Sequence, residues 1–433
     1  MTKQPSESVI ILGRSVSGLA AARDLAKRGY AVTLLDYAPW EPHPPLPDTL
    51  LGCHTKSLAL LTSLSEKRPL TPDDILPLEF LLPTGIIVSY RPTTLPGSLH
   101  WIAGLLRFRG LSWPDRWALL SYLERVWEQE DSIPTVLESD TAETWLKGLG
   151  QSQVARDTIW SPLARFLTGT PLAELPAATF AQAATHPFLR SATGARITQL
   201  KAPLTERLVA SLASAALESG ARIVSLEAPP QLRFEQHAIT QIRLRDGSHL
   251  QAAWYLSALS HKALCSLLPE RLLTRYAYFS HISELHNHDR VTVDCYGPAV
   301  GKSPRFILLS GTTATCLSLK PSGPDAAHYR LTYQGEGLAD RSDRELATVA
   351  LHDLGVVFPA LSSQTFTGPA IDRHAQVELT LKAGTTMARP IHHGPIKNFL
   401  LAGGWTDTGW PDNLESAVVS ATRCVDHITG TGH

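Results

Sequence analysis

Excess charge of either sign is missing from this 433-residue chain, in which 39 lysines and arginines stand against 40 aspartates and glutamates. Nucleic-acid binding draws on a clustered basic excess, so the composition argues against such a partner. Long apolar runs are missing too, since no stretch reaches the ~18 residues that a membrane-spanning helix needs. Cysteine is scarce and scattered, at Cys53, Cys265, Cys295, Cys316 and Cys424. An odd number without a C-x-x-C pair reads as reduced, mostly buried thiols in a cytoplasmic protein. The first apolar strand begins too soon after the N-terminus for a signal peptide to precede it. There is no internal repeat, no low-complexity tract and no G-x-S-x-G elbow of a hydrolase. His281, His286 and His288 cluster, but their spacing matches no common zinc pattern and no cysteine or acid completes it, so no metal is expected. His392-His393 sits among proline and glycine and is expected to be exposed.

What the chain does have is a pair of matching turns at its two ends. Ser8–Leu12 reads as a buried strand, followed by Gly13-Arg14-Ser15-Val16-Ser17-Gly18 and an alanine-rich helix. A second strand, Ala31–Leu35, ends in Asp36. This is the βαβ dinucleotide fingerprint with Ser15 where the second glycine belongs, and Asp36 stands where an acid accepts ribose hydroxyls. At the other end, Asn398–Ala402 is a short apolar run broken by Gly403-Gly404. A polar loop then leads to a helix with Leu414, Ala417, Val418, Ala421 and Val425 on one face. A strand, a glycine break and a helix aim free backbone N–H groups at whatever lies above the strand end. Gly13, Ser15, Gly18 and Asp36 in the first turn, and Gly403, Gly404, Trp405, Asn413 and Leu414 in the second, are therefore the candidate cofactor-binding residues, on one shared cavity.

Between the ends the organisation is discontinuous. Trp40–Pro47 is a proline-rich turn, and residues 51–65 resume as an apolar helix. Leu99–Glu128 carries tryptophan and leucine at helical spacing, and Thr141–Gly150 and Val154–Thr168 are further helices. From Leu204 the expected order is a helix to Glu218, a strand at Arg222–Leu226, a hairpin around Asp246-Gly247 and a buried strand at Ala253–Ala258. Short strands follow at Arg305–Leu309 and Tyr329–Tyr333. The pattern implies an α/β fold: a Rossmann-type domain from residues 1–66, 196–262 and 366–433, interleaved with a mixed α+β substrate domain from 67–195 and 263–365. The stretch Leu99–Arg109 is amphipathic. It reads either as a core-facing helix or as a surface that docks on lipid.

The closing run AGGWTDTGWPDNLESAVVSA, with Trp405-Thr406-Asp407-Thr408-Gly409 at its centre, is similar to the closing motif of the squalene-associated flavoproteins. These are the hydroxysqualene dehydroxylases of hopanoid biosynthesis, within the larger group of phytoene desaturases and amine oxidases. Trp160-Ser161-Pro162-Leu163 with Thr170-Pro171 resembles an internal segment of that family, and Leu51-Gly52 with Leu58-Ala59-Leu60-Leu61 the helix after its first nucleotide-binding turn. The resemblance covers nearly the whole chain, most strongly at the ends.

The resemblance implies FAD as cofactor, with the Rossmann-type part binding it, and reduction of an allylic alcohol on a C30 isoprenoid. The hydroxyl leaves as water, so a proton donor is needed. Asp407 and Glu415 are the nearest acids, each with an alternative role in capping a turn or helix. Trp405 and Trp410 either offer π faces to a transient cation or simply pack. Asp407, Trp405 and Trp410 are the catalytic candidates. Three departures imply weakened FAD binding: Ser15, Glu41–Pro45 in place of a Gly-Gly-Arg turn, and Gly404 where the family has an aspartate. On that basis Gly404→Asp is expected to tighten binding. The second domain offers apolar helices and few clustered charges, so a mostly apolar tunnel is expected, ending beside Trp405 and Trp410 and opening near Leu99–Arg109. The expected partner is a hydrophobic isoprenoid, with peripheral contact at the inner membrane surface. The runners-up are a related desaturase or oxidase on another hydrophobic substrate, and a flavin-free binding protein of an isoprenoid pathway.

Overall fold

Val9, Ile10, Ile11 and Leu12 are all buried, and a strand apolar on both faces belongs inside a parallel sheet. Ser8–Leu12 takes that place in the computed structural model, which describes residues 8–40, 49–64, 75–93, 95, 99–127, 140–200, 204–361, 366–382 and 384–431. Trp254–Ser257 and Ala31–Tyr37 flank it, both parallel, with Trp254 and Val32 opposite Val9. Phe399–Leu401 and Arg222–Leu226 complete the five-stranded sheet at its edges. The start, middle and end of the chain thus meet in one parallel sheet. Helices Val16–Lys27, Leu204–Glu218 and Leu414–Thr429 share one core against it, where Leu19, Leu25, Leu212 and Val425 meet Ile11, Leu34, Leu256 and Leu400.

A second sheet of seven strands runs in the order Thr367–Leu379, Asn287–Pro298, Ala326–Gly335, Cys316–Pro321, Arg305–Leu308, Leu78–Leu81 and Ile87–Tyr90. Its pairs are antiparallel except the parallel pair of Arg305–Leu308 with Leu78–Leu81. Period-two alternation divides its faces. Val291, Val293, Cys295, Leu317, Leu319, Tyr329, Leu331 and Tyr333 are buried in a core shared with the helix Asp343–Val357. The residues between them face the other way and form one wall of a cavity between the two sheets.

Several elements differ from expectation. Thr367–Leu379 is a 13-residue edge strand paired with Asn287–Pro298, so the boundary at 366 falls one strand early. Its many charged and polar residues, Asp372, Arg373, His374, Gln376 and Glu378, suit a strand at the edge of a sheet and mask the apolar positions Ile371, Ala375, Val377 and Leu379 between them. Leu51 ends a short strand, Thr49–Leu51, that pairs antiparallel with Ile197–Gln199, and the helix starts only at Thr55. The stretch Leu99–Glu128 divides into helices Leu99–Arg107 and Trp113–Trp127. Val154–Thr168 carries a π-helical turn at Arg156–Trp160 before the helix Ser161–Thr168. The segment Glu41–Pro45 lies outside the described residues. No described helix is long and apolar enough to cross a membrane.

Candidate functional site

The two terminal turns come together on one cavity of about 500 Å³. Ser15, Val16 and Ser17 reach it from the first turn, and Gly403, Gly404, Trp405, Trp410, Asp412, Asn413 and Leu414 from the second. Ser15 and Asn413 are the N-caps of their helices, with Ser15 Oγ accepting the Gly18 N–H at 3.2 Å and Asn413 Oδ1 the Ser416 N–H at 2.9 Å. The Ser15 hydroxyl also donates to the Ala258 carbonyl at 2.8 Å, so the residue in the second glycine's place locks turn to sheet. The other first-turn N–H groups lack helical acceptors, and the positive ends of two helix dipoles open on the same space. Such a cradle fits a dinucleotide pyrophosphate. Arg14 beside it has a buried Nε without a hydrogen-bond partner among the described residues.

Gly13, Gly18 and Asp36 shape the turn without lining the cavity. Gly13 has φ +99°, a conformation that side chains disfavour. A Cβ on Gly18 would stand 2.9 Å from the Ala258 Cβ, so glycine is what lets the helix approach the sheet. Asp36 lies at the end of its strand, 3.9 Å from Arg14 Nη1.

The closing loop is held from beneath by Arg389, which is buried and donates to the carbonyls of Gly404, Trp405 and Thr406. Asp412 stands beside it. A Cβ built on Gly404 would lie 2.1 Å from Asp412 Oδ1 and 3.2 Å from the Asn413 carbonyl oxygen. The Asp412 carboxyl, eight residues on, therefore occupies the space that a side chain at 404 would need. Gly404→Asp consequently collides with Asp412 instead of restoring a contact, which reverses the expectation from sequence. Burial, only partly offset by Arg389, pushes Asp412 up to about 6. It lines the cavity and accepts the Leu379 N–H.

Asp407 does not line the cavity. Its Oδ1 turns back onto the Gly409 N–H at 3.3 Å, while its backbone carbonyl accepts from Arg423. Glu415 caps a neighbouring helix, accepting the N–H groups of Lys56 and Ser57 at 2.9 and 2.8 Å. Trp405 and Trp410 both line the cavity. Trp405 is fixed by its Nε1 donating to the Leu259 carbonyl. Trp410 stacks on His186, ring centroids 3.8 Å apart, so one of its π faces is already covered.

The cavity lining is mostly apolar, as expected, but the wall opposite the two turns is polar. Arg290, Thr292, Ser318, Arg330, Thr332 and Gln334 project from the second sheet. Glu378 binds Arg290 at 2.8 Å and lies 3.3 Å from His288 Nε2. Although burial opposes it, Arg290 and His288 hold Glu378 down at about 2. A Cβ on Gly169, which has φ +70°, would stand 2.6 Å from the His288 ring, so that position is confined to glycine. Arg330 pairs with Asp294. The apolar half comes from Leu51, Phe166, Leu167, Leu204, Leu259 and Phe306. Among the described residues, none from 99 to 127 lines the cavity, so its mouth is not at Leu99–Arg109; Trp101 and Leu105 are buried in the core instead.

Sequence reasoning missed Asp412, Arg389, His54 and the His288–Glu378–Arg290 cluster. His54 lines the cavity, and burial with His186 nearby lowers it to about 3. Its Nδ1 has no hydrogen-bond partner among the described residues. The available signal was the second acid of the closing motif, Asp412, eight residues after the glycine.

The sequence profile described as flavin containing amine oxidoreductase matches residues 47–429. The chain is 22% identical over 218 residues to a zeta-carotene desaturase of a Synechocystis species, covering 44% of this chain and 45% of the relative. It is 21% identical to a 15-cis-phytoene desaturase of an Oncidium hybrid, over 78% of this chain and 60% of the relative. The chain thus spans about half the length of these curated relatives. Among solved structures, an oxidoreductase from Methanosarcina mazei superposes with a TM-score of 0.70 at 13% identity, covering 97% of this chain and 100% of that one. Cyclohexylamine oxidase from Brevibacterium oxydans does so at 0.65 and 16%, covering 98% and 99%. These likenesses show the shared fold.

Proposed function

Because this chain belongs to the family of flavin-containing amine oxidoreductases, with FAD as its cofactor, we propose that it reduces an allylic alcohol on a C30 isoprenoid, turning hydroxysqualene into squalene and water. The observation that carries this reading is the closing loop, which brings Asp412, a carboxyl that burial raises to about 6, and two indoles onto one cavity. An allylic hydroxyl departs only once protonated, and an acid with a pKa near the working pH donates best. Asp412 takes the role first given to Asp407: its carboxyl protonates the oxygen as the C–O bond breaks, and water leaves. Trp405 faces the electron-deficient allyl group and excludes bulk water. Reduced FAD, when bound, supplies the hydride that completes the product. Asp412 regains its proton from solvent.

In this reading residues 1–66, 196–262 and 380–433 carry the cofactor, and 67–195 with 263–379 the substrate. The substrate dissolves in lipid. Trp113 and Trp117 are 64% and 67% exposed, and Arg107 and Arg109 are exposed just before them. Exposed tryptophans with flanking cations suit the interface of an anionic bilayer, and a cytoplasmic protein would meet the inner surface there.

A specific observation favours a second reading. The polar wall of Arg290, Thr292, Arg330, Thr332 and Gln334 suits a related desaturase or oxidase whose substrate carries polar groups along its length. One experiment separates the two. The FAD-loaded protein is reduced, mixed with hydroxysqualene in detergent, and the extract assayed for squalene by mass spectrometry. Squalene from wild type, lost in Asp412→Asn, supports the dehydroxylase. No squalene with demonstrably bound and reduced flavin refutes it in favour of the second reading.

A further inference from the structure

Three histidines converge outside the cavity, where the closing helix ends. His392 and His393 stand in the loop that leads into Phe399–Leu401, and His427 in the last turn of Leu414–Thr429. The loop is held in place, because the Leu401 N–H donates to the His392 carbonyl at 2.9 Å and His393 bridges to Leu400. One ring nitrogen from each histidine lies within 4.8 Å of the other two. The ring centroids are 4.7, 5.4 and 5.5 Å apart. Other histidines have a protein partner for a ring nitrogen, such as His261 with Asn287 or His186 with Gly409. These three have ring contacts only, among the described residues.

The chemistry of the cluster is that of a ligand set. Burial, reinforced by His393, His427 and Arg423, lowers His392 to about 4. Burial and His393 lower His427 as well. Both are neutral at pH 7, the form in which imidazole lends its lone pair to a metal. Tetrahedral zinc holds its nitrogen ligands at about 2.0–2.1 Å, hence roughly 3.3 Å from one another. From within 4.8 Å of one another the nitrogens would have to draw in to that value, and His393 and His427 are exposed, with no hydrogen bond among the described residues holding their rings. The C-terminal end of a helix adds a negative dipole toward the ion. Arg423 is the opposing charge, and Asp426 is already engaged by Arg28 at 3.4 Å.

We propose that His392, His393 and His427 form a binding site for a divalent transition metal of the zinc class, with three imidazole ligands and a fourth position open to solvent. Three nitrogens and no thiolate suit zinc, nickel or copper rather than calcium or magnesium. The site ties a loop to a helix that both serve the cofactor cavity. Four residues before His393, Arg389 holds the carbonyls of the closing loop, and the Pro390 carbonyl accepts the Asp407 N–H. A metal there fastens the outer end of the segment whose inner end shapes the cavity.

The test uses tag-free, chelator-treated, FAD-loaded protein titrated with zinc chloride by calorimetry, with cobalt chloride as the optical probe. One zinc per chain is expected, with visible cobalt bands of tetrahedral intensity. His427→Ala and the double variant His392→Ala/His393→Ala should each lower zinc affinity at least tenfold, with an unchanged flavin spectrum as the check on folding. Absence of binding at micromolar zinc overturns the proposal, and so does binding that His427→Ala leaves intact, which would mark an adventitious ion held elsewhere. His427→Gln, which keeps the polar volume, should lose zinc as His427→Ala does. Retained affinity in that variant refutes the ligand role.

Discussion

Replacing Asp412 by asparagine tests the site through stability as well as chemistry. The rise from the ordinary aspartate value of 3.8 to about 6 corresponds, at about 1.36 kcal/mol per unit, to roughly 3 kcal/mol. The folded protein holds this proton more tightly than the unfolded chain does. Between pH ~4 and ~6 it therefore binds more protons than the unfolded state, and stability falls as pH rises through that window. Above it the full cost of the buried carboxylate is felt. The charged and titratable groups facing Asp412 are Arg389, Glu378 and His288, and burial outweighs the attraction of Arg389. Asparagine cannot ionise, yet its carbonyl still accepts the Leu379 N–H. Arg389 loses one partner but keeps three carbonyls and the nearby Asp407, so about 3 kcal/mol is the upper bound on the gain. Asp412→Asn should thus be more stable than wild type at pH 8, and the two should converge toward pH 4.5. Denaturant unfolding of both proteins across that range is the assay. Turnover should meanwhile fall by a factor of about 10²–10⁴, the usual contribution of a general acid. Unfolding free energies that run parallel at every pH would show that Asp412 titrates normally, and the argument for its role would collapse.

Gly404→Asp places a side chain where Asp412 already sits, so flavin titration should show weaker binding than wild type, with about 1–3 kcal/mol of stability lost to overpacking. Arg389→Met removes three hydrogen bonds to the closing loop and leaves Asp412 and Asp407 without their buried cation; about 3–5 kcal/mol should be lost, visible as a lower midpoint in denaturant. Trp113→Ser/Trp117→Ser should abolish co-sedimentation with vesicles containing anionic lipid while leaving the flavin spectrum unchanged; sedimentation equal to wild type would remove this surface from consideration.

The terminal turns were readable because their signals are local. A buried strand, a glycine and a capped helix are fixed by neighbours within about ten residues, and so Ser8–Leu12, Leu204–Glu218, Arg222–Leu226 and the helix from Leu414 appear where the pattern puts them. Long strands with polar faces were less legible. Asn287–Pro298 and Thr367–Leu379 alternate charge with small or apolar residues, and alternation says which residues share a face but not what that face looks at. The hairpin turn at Gln236-His237 was also silent, since both residues adopt positive φ without the usual asparagine or glycine.

By itself, then, the sequence determined the strand–turn–helix units, the two glycine-rich turns, their kinship with flavoproteins and the tryptophans of the closing loop. Tertiary structure alone decided that Asp412 rather than Asp407 enters the cavity, that Arg290, Arg330 and Glu378 give it a polar wall, and that His427 meets His392 and His393. The reason is distance along the chain. Hydrogen bonding within a turn and helical periodicity act over a few residues, whereas burial, pKa shifts and ligand convergence depend on groups such as Glu378 and Asp412, or His393 and His427, that only the packing of two sheets and a helix brings together.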